Sequence, residues 1–360
     1  MQAIPKVVIT GGPCAGKTTM LAKASAWCSD RGYQPLIVPE AATIYITGGL
    51  NPRHPAFQEA VISHVLHMER VFEEVARETF ERPLLICDRG IFDQKAYMDD
   101  ASFHALCLAH GLRAEEELVR RYAGVIFLQS AANGAEEFYS SASNTARYEG
   151  LEEARVLNAR THDAWMGVPH LSLVENRKGQ SFEDKLEHGL KSLARILGEP
   201  EPLEVERKFL VKDFDPASLP SHAVPVDIVQ HYLVPRGMGV ERVRARGQNN
   251  VWTYIHTTKQ KKGPGVNVEK ERILTEREYQ GLLVRRDGSL KPIHKTRHCF
   301  SFDGQYCELD VFEGHRSGLV MLEIETSEED RDVRLPPFLS IEREVTGNFE
   351  YSNYSLADAA

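Results

Sequence analysis

The chain has 360 residues, 42% apolar and 26% charged, a composition that builds real cores and suits two domains of ordinary size. Its 52 acidic and 43 basic side chains leave a net charge of −9, which does not argue for nucleic acid or an acidic membrane surface as the main partner and leaves room for a local basic patch. No run approaches the ~20 apolar residues of a membrane span, and the first strand begins too early to leave room for a signal peptide. The six cysteines show no C-x-x-C or zinc spacing, so the expected compartment is the reducing cytoplasm.

The first predicted strand, 6–10, carries Val7-Val8-Ile9. It runs into Gly11-Gly12-Pro13-Cys14-Ala15-Gly16-Lys17-Thr18-Thr19, a G-x-x-x-x-G-K-[ST] loop that opens a helix over 17–30. Gly11 and Gly16 let the backbone turn so that successive amide N–H groups converge on phosphate oxygens, and the helix N-terminus adds its dipole. Lys17 suits the outer phosphates and the Thr18 hydroxyl a Mg²⁺ shell, which predicts bound ATP or GTP. Further strands at 35–39, 83–87, 124–128 and 170–174 alternate with helices over 56–80, 103–121, 150–165 and 182–196. That alternation predicts an α/β domain whose parallel sheet is covered on both faces.

Glu40 ends the second of these strands, where it can orient or deprotonate an acceptor hydroxyl. Asp88 ends the third, placed to hold the metal or else to cap a helix, with Arg89 and Asp93 on the same rim. Segment 129–149 lacks a period and reads as a functional loop. Its Arg147 is the lid candidate; Arg155 and Arg160, on the next helix, suit either a lid or a solvated face.

Gly198-Glu199-Pro200-Glu201-Pro202 has two prolines and no apolar residue, and it separates a domain at 1–198 from one at 203–356. Beyond it come eight stretches of period-2 alternation: 203–210, 226–234, 240–246, 251–259, 268–274, 294–301, 305–312 and 319–325. They predict an antiparallel sheet or β-barrel. Charges recur two apart on their faces: Glu204, Glu206 and Lys208; Arg242, Arg244 and Arg246; Glu269 and Glu271; Lys295 and Arg297; Glu308 and Asp310; Glu323 and Glu325. Such rows repel unless they face water or meet counter-charges. A closed barrel with acidic and basic walls would hold Mg²⁺ or Mn²⁺ and clamp a polyphosphate.

The phosphate loop, Glu40, Asp88-Arg89-Gly90 and Arg147-Tyr148-Glu149 together resemble the P-loop nucleotide-kinase-like proteins of AAA type, the broad group containing nicotinamide riboside kinase and deoxynucleoside kinases. The resemblance implies a phosphotransferase or NTPase in which Lys17, Glu40, Asp88, Arg89 and Arg147 serve the reaction. Neither an N-K-x-D motif nor the D-x-x-G spacing is present, so any guanine preference has to come from another contact.

The second half, in the order Glu204-x-Glu206-x-Lys208, Gln230-x-Tyr232, Arg242-x-Arg244, Thr258-Lys259, Glu269-x-Glu271, Lys295-x-Arg297, Glu308-x-Asp310, Glu323-x-Glu325 and Glu344-Val345-Thr346-Gly347, resembles the CYTH family of triphosphate tunnel metalloenzymes. That likeness implies metal ligation by Glu204, Glu206, Asp310, Glu323 and Glu325. It implies phosphate binding by Lys208, Arg242, Arg244, Lys259, Lys295, Arg297 and Arg343. Members hydrolyse or cyclise triphosphates, and a few only bind phosphorylated ligands. The order of the two domains also resembles the TRPL translocation defect proteins. It implies the alternative of a non-catalytic GTP- or ATP-binding switch that takes a phosphoinositide and a membrane-protein partner.

Overall fold

The computed structural model describes residues 4–139, 150–177, 179–199, 203–236, 239–263, 266–325 and 333–358; the side chains of 203–205, 261–263, 266–269 and 325 lie outside that description. The chain divides into two units, Met1–Leu197 and Gly198–Ala360.

The first unit runs β1 (Lys6–Gly11), α1 (Lys17–Ser29), β2 (Gln34–Val38), α2 (Ala41–Thr47), α3 (Phe57–Thr79), β3 (Pro83–Asp88), α4 (Asp100–Ala109), α5 (Ala114–Arg120), β4 (Gly124–Leu128), α6 (Leu151–Ala164), β5 (Leu171–Val174) and α7 (Phe182–Leu197). Its strands form a parallel sheet in the order β2-β3-β1-β4-β5. The central strands read as unbroken apolar runs because both faces are covered. Val7, Ile9, Ile126 and Leu128 pack with Met20, Leu21 and Ala24 of α1 and with Leu186, Leu190 and Leu193 of α7. The chain order reverses beside β1, so the carboxyl ends of β1, β3 and β4 open on one crevice.

Two expectations need correction. The stretch 103–121 is two helices rather than one: Gly111, at φ +73°, carries the chain out of α4 before α5 begins. Helix α2, directly after Glu40, was not expected, because its β-branched residues hide the helical period.

The second unit runs β6 (Leu203–Lys212), β7 (Val224–Leu233), β8 (Val240–Gln248), β9 (Val251–Gly263), β10 (Val266–Leu274), α8 (Glu276–Leu283), β11 (Ile293–Phe302), β12 (Gln305–Phe312), β13 (Val320–Glu325), β14 (Ser340–Glu344) and α9 (Asn353–Leu356). The sheet is antiparallel, in the order β10-β9-β8-β7-β11-β12-β13-β6-β14. In addition β10 pairs with β6, Val266 opposite Val205 and Val268 opposite Leu203, which brings the first strand of the order back to the eighth.

Alternation splits the residues of these strands. Phe209, Val211, Phe300, Leu309, Leu322 and Ile324 make one apolar cluster. The other face is mixed. Leu210, Ile293, Phe312 and Met321 pack with Tyr232 and with Leu356 of α9. Further along the same strands, that face turns ionic.

Candidate functional site

In the first unit the loop after β1 has the shape its sequence asks for. Gly11 stands at φ +144°, Cys14 at +55° and Gly16 at +89°. A Cβ on Gly11 would lie 2.0 Å from the Leu128 carbonyl oxygen, and one on Gly16 would lie 2.6 Å from the Phe182 ring. Every backbone carbonyl from Gly11 to Gly16 accepts a hydrogen bond. Lys17 Nζ donates to those of Gly11 and Gly12, 3.2 Å each. The Ser130 hydroxyl donates to that of Pro13, the Ala131 amide to that of Cys14 (3.3 Å), Lys185 Nζ to that of Ala15 (3.1 Å) and the Met20 amide to that of Gly16 (3.0 Å). With its oxygens turned away and engaged, the loop presents amides to whatever enters.

The strand ends supply the charges. Parallel register sets Asp88 beside Ile9. Arg89, at φ +67°, donates from Nε to Glu40 (2.7 Å) and from its terminal nitrogen to Asp93 (3.2 Å). Asp93 is fully buried and also accepts the Gly90 amide (2.8 Å) and the Thr10 hydroxyl. Glu40 accepts the Thr43 hydroxyl as well (2.9 Å). Burial would raise the Glu40 pKa, but Arg89 and Lys17 outweigh it and hold Glu40 below the usual carboxylate range.

Asp88 goes the other way. Burial first, then the charge of Glu40, pushes it up to about 6, and its Oδ1 is buried without a hydrogen-bond partner. An orphaned hard oxygen, on a residue that lines the same cavity as Thr18, is chemistry that fits a divalent cation. Lys17 is drawn down to about 8 by burial and by Arg89, against the pull of Glu40, Asp88 and Asp93.

These groups line a cavity of about 840 Å³ that also takes in Ile46, Phe57, Gln58, Gln94, Tyr97 and Phe138. Gln94 is 4% exposed with no hydrogen bond among the described residues, and Gln58 Oε1 is likewise buried without a partner. Arg147 lies outside the described residues. Arg155 is not a free lid group: it donates to the Ala132 carbonyl (2.8 Å) and pairs with Glu136 (3.0 Å) and Glu152. Arg160 is exposed.

In the second unit, register decides which charges meet. Lys208 lies opposite Glu323, Arg297 opposite Asp310, and Glu308 opposite Glu323. Two carboxylates facing each other repel, and Arg297 relieves them. Its guanidinium holds both Asp310 oxygens at 2.7 Å, reaches Glu323 at 2.8 Å and pairs with Glu308. Lys208 pairs with Glu206 (3.1 Å) and Glu323; Lys295 pairs with Asp310 and reaches Asn353 (3.4 Å). Lys259 lies 3.8 Å from Glu206. On the neighbouring strands Arg244 meets Glu271 at 3.0 Å, and Glu271 also accepts the Thr257 hydroxyl. Arg242 and Arg246 are buried in the same unit.

Asp310 is fully buried, and Lys295 and Glu323 nearly so. Burial would raise Glu323, but Lys208, Arg297 and Lys295 hold it well below the carboxylate range; burial lowers Lys295 despite Asp310.

Of the residues expected to act together, Glu206, Lys208, Lys259, Lys295, Arg297, Asp310 and Glu323 are joined by these pairs. Arg343 is not brought in. It is exposed on β14 and donates to the Tyr351 hydroxyl at 2.7 Å. The side chains of Glu204 and Glu325 lie outside the described residues. Among the described residues no group of three His, Cys, Asp or Glu side chains is poised around a single metal position. No described helix is long and apolar enough to cross a membrane.

Sequence reasoning missed Ser130, Asn158, Asn176 and Lys185, which grip the phosphate loop and its neighbours. Asn158 Oδ1 accepts the Ser130 amide (2.9 Å), and Asn176 donates to the Ser130 and Asn133 carbonyls. A signal existed for Lys185. It sits one turn before Gly189, on the buried stripe of α7 with Leu186, Leu190 and Leu193, where a charge is out of place.

The family described as AAA domain matches residues 6–184. An inorganic triphosphatase of Nitrosomonas europaea is 35% identical over 156 residues, covering 43% of this chain and 96% of that protein. An inorganic triphosphatase of Acetivibrio thermocellus is 41% identical over 64 residues, 18% of this chain and 40% of that protein. A crystal structure of an inorganic triphosphatase, 31% identical, covers 43% of this chain and 93% of its own, with a TM-score of 0.30.

Proposed function

The chain belongs to the family of the Nitrosomonas europaea inorganic triphosphatase, and from that premise we propose that its second unit is a CYTH-type tunnel that binds and hydrolyses a triphosphate. We propose further that its first unit is a P-loop site for a magnesium-bound ATP or GTP, acting as a phosphotransferase or NTPase.

The observation that carries the tunnel reading is the buried meeting of Lys208, Lys295 and Arg297 with Glu206, Asp310 and Glu323. Such a lattice is costly to bury, and a polyanion that enters it finds cations already placed. Lys208, Lys295, Arg297, Arg242 and Arg244 bind and neutralise the phosphoryl oxygens. Glu206 and Glu323 converge on one ammonium, that of Lys208, and two carboxylates aimed at one cation fit Mg²⁺ or Mn²⁺. A cation held there by Glu206 and Glu323 would supply Lewis-acid charge to the terminal phosphoryl group. In the reaction, water attacks the terminal phosphorus and the bond to its bridging oxygen breaks. The shortened chain departs while the basic residues hold its growing charge.

A second reading, a tunnel that grips a phosphorylated headgroup without turnover, draws on one fact: Glu206, Asp310 and Glu323 are each already ion-paired. Purified full-length protein, assayed with tripolyphosphate, ATP and GTP in Mg²⁺ and Mn²⁺, decides between them. Phosphate release is expected, with a loss of about a hundredfold in Glu206→Gln. Release at background, unchanged by that substitution, sinks the catalytic tunnel.

At the first site, nucleotide affinity is expected to fall on both sides of neutrality. Above about pH 8 the free protein loses the Lys17 proton that the bound phosphates would retain; below about pH 6 protonated Asp88 no longer serves a cation. Calorimetric titration across both flanks checks it. Asp88→Asn should abolish the acid limb alone.

A further inference from the structure

Lys185 is 5% exposed and stands on no motif. Its ammonium donates to the Ala15 carbonyl (3.1 Å), the Gln129 carbonyl (2.6 Å) and Asn176 Oδ1 (2.8 Å). All three acceptors are neutral. One belongs to the phosphate loop, one follows β4 and one follows β5, so a single side chain of α7 ties three segments at the floor of the crevice. Among the described residues no carboxylate pairs with this buried ammonium, and three neutral acceptors offset the cost of burying its charge only in part.

The structure assigns Lys185 a role in the nucleotide site: we propose that it is a positioning residue whose charge is completed by the bound phosphates and whose hydrogen bond keeps the Ala15 carbonyl turned away from them. The inference rests on the reading of the first unit as a nucleotide site. It goes beyond that reading by adding a second lysine, from the far end of the unit's sequence. Two observations converge on it. The loop amides can face a ligand only while their carbonyls are held elsewhere, and Ala15 has Lys185 for that. Burial first, then the like charge of Lys17, the motif lysine, draws Lys185 down to about 8. An anion between the loop amides relieves both costs at once.

The role predicts a loss of binding beyond any loss of stability and graded by phosphate charge, which a mere strut would not give. In the full-length chain, Lys185→Met leaves three acceptors without their donor and should melt below the parent without ligand. It should bind magnesium-ATP and magnesium-GTP about tenfold or more weakly, a loss that deepens from mono- to triphosphate. Lys185→Gln keeps an N–H donor but no charge, and it should show the same loss, which covers the case in which the methionine variant fails to fold. Wild-type affinity in Lys185→Gln overturns the proposal. So does a loss of stability in either variant that accounts for its whole loss of binding, or an equal loss for mono- and triphosphate. If the parent shows no nucleotide binding that depends on Lys17, the nucleotide reading itself fails, whatever Lys185 does.

Discussion

Replacing Arg297 by methionine is expected to destabilise the second unit by ~3–5 kcal/mol, the usual cost of removing one partner from a buried ionic cluster. The guanidinium satisfies both oxygens of the fully buried Asp310 and one of Glu323, and it separates Glu308 from the Glu323 that faces it. Without it, Asp310 keeps Lys295 alone among the described residues, and two carboxylates confront each other across neighbouring strands. Urea denaturation measures the loss. Arg297→Met combined with Asp310→Asn should recover part of the stability, because the uncompensated charge is then gone. It should not recover phosphate release from tripolyphosphate, because the clamp is still missing a cation. Full stability in the single variant would show that the cluster is solvated after all.

The second large effect is expected from Gly11→Ala. The backbone there is at φ +144°, a region that side chains rarely enter, and the new methyl would lie 2.0 Å from the carbonyl oxygen of Leu128, the residue paired with Gly11 across β1 and β4. Strain of ~1–3 kcal/mol from the dihedral adds to ~1–3 kcal/mol of overpacking. The relief is to part the strands at the start of the loop. Nucleotide affinity should therefore fall by about a hundredfold or more, since a misplaced amide cage no longer meets the phosphates together. Gly111→Ala is the control. It also has a positive φ, +73°, but nothing lies within 4 Å of its Cβ, so it should cost only the dihedral and leave binding intact. Equal behaviour of the two variants would refute the steric argument.

The parts of this molecule that were legible in its sequence are those written in local pattern. Apolar runs such as Val7-Val8-Ile9 and Val125-Ile126-Phe127 become buried parallel strands because covered sheets leave no room for alternation. The glycines of the phosphate loop stand where the backbone needs them. Period-2 charge rows put Glu206 with Lys208, and Lys295 with Arg297, on common faces.

What the pattern does not carry is register. Nothing local says that Arg297 faces Asp310 or that Glu308 faces Glu323; the hydrogen bonds of the sheet set those meetings. Strand β14 escaped notice because it is short and follows two prolines, Pro336 and Pro337. The family resemblance implied phosphate binding by Arg343, yet Arg343 is exposed on β14, which pairs with β6. Lys185 was hidden for the opposite reason: its partners are backbone carbonyls, which no side-chain motif records.

The tethering of all six oxygens between Gly11 and Gly16 bears on the rate at which the crevice can be filled. A cradle finished during folding needs no ordering of its own when a ligand arrives, so that share of the entropy was spent before the encounter. On the proposed reading of the crevice as a nucleotide site, the freedom still to be lost on binding is the ligand's.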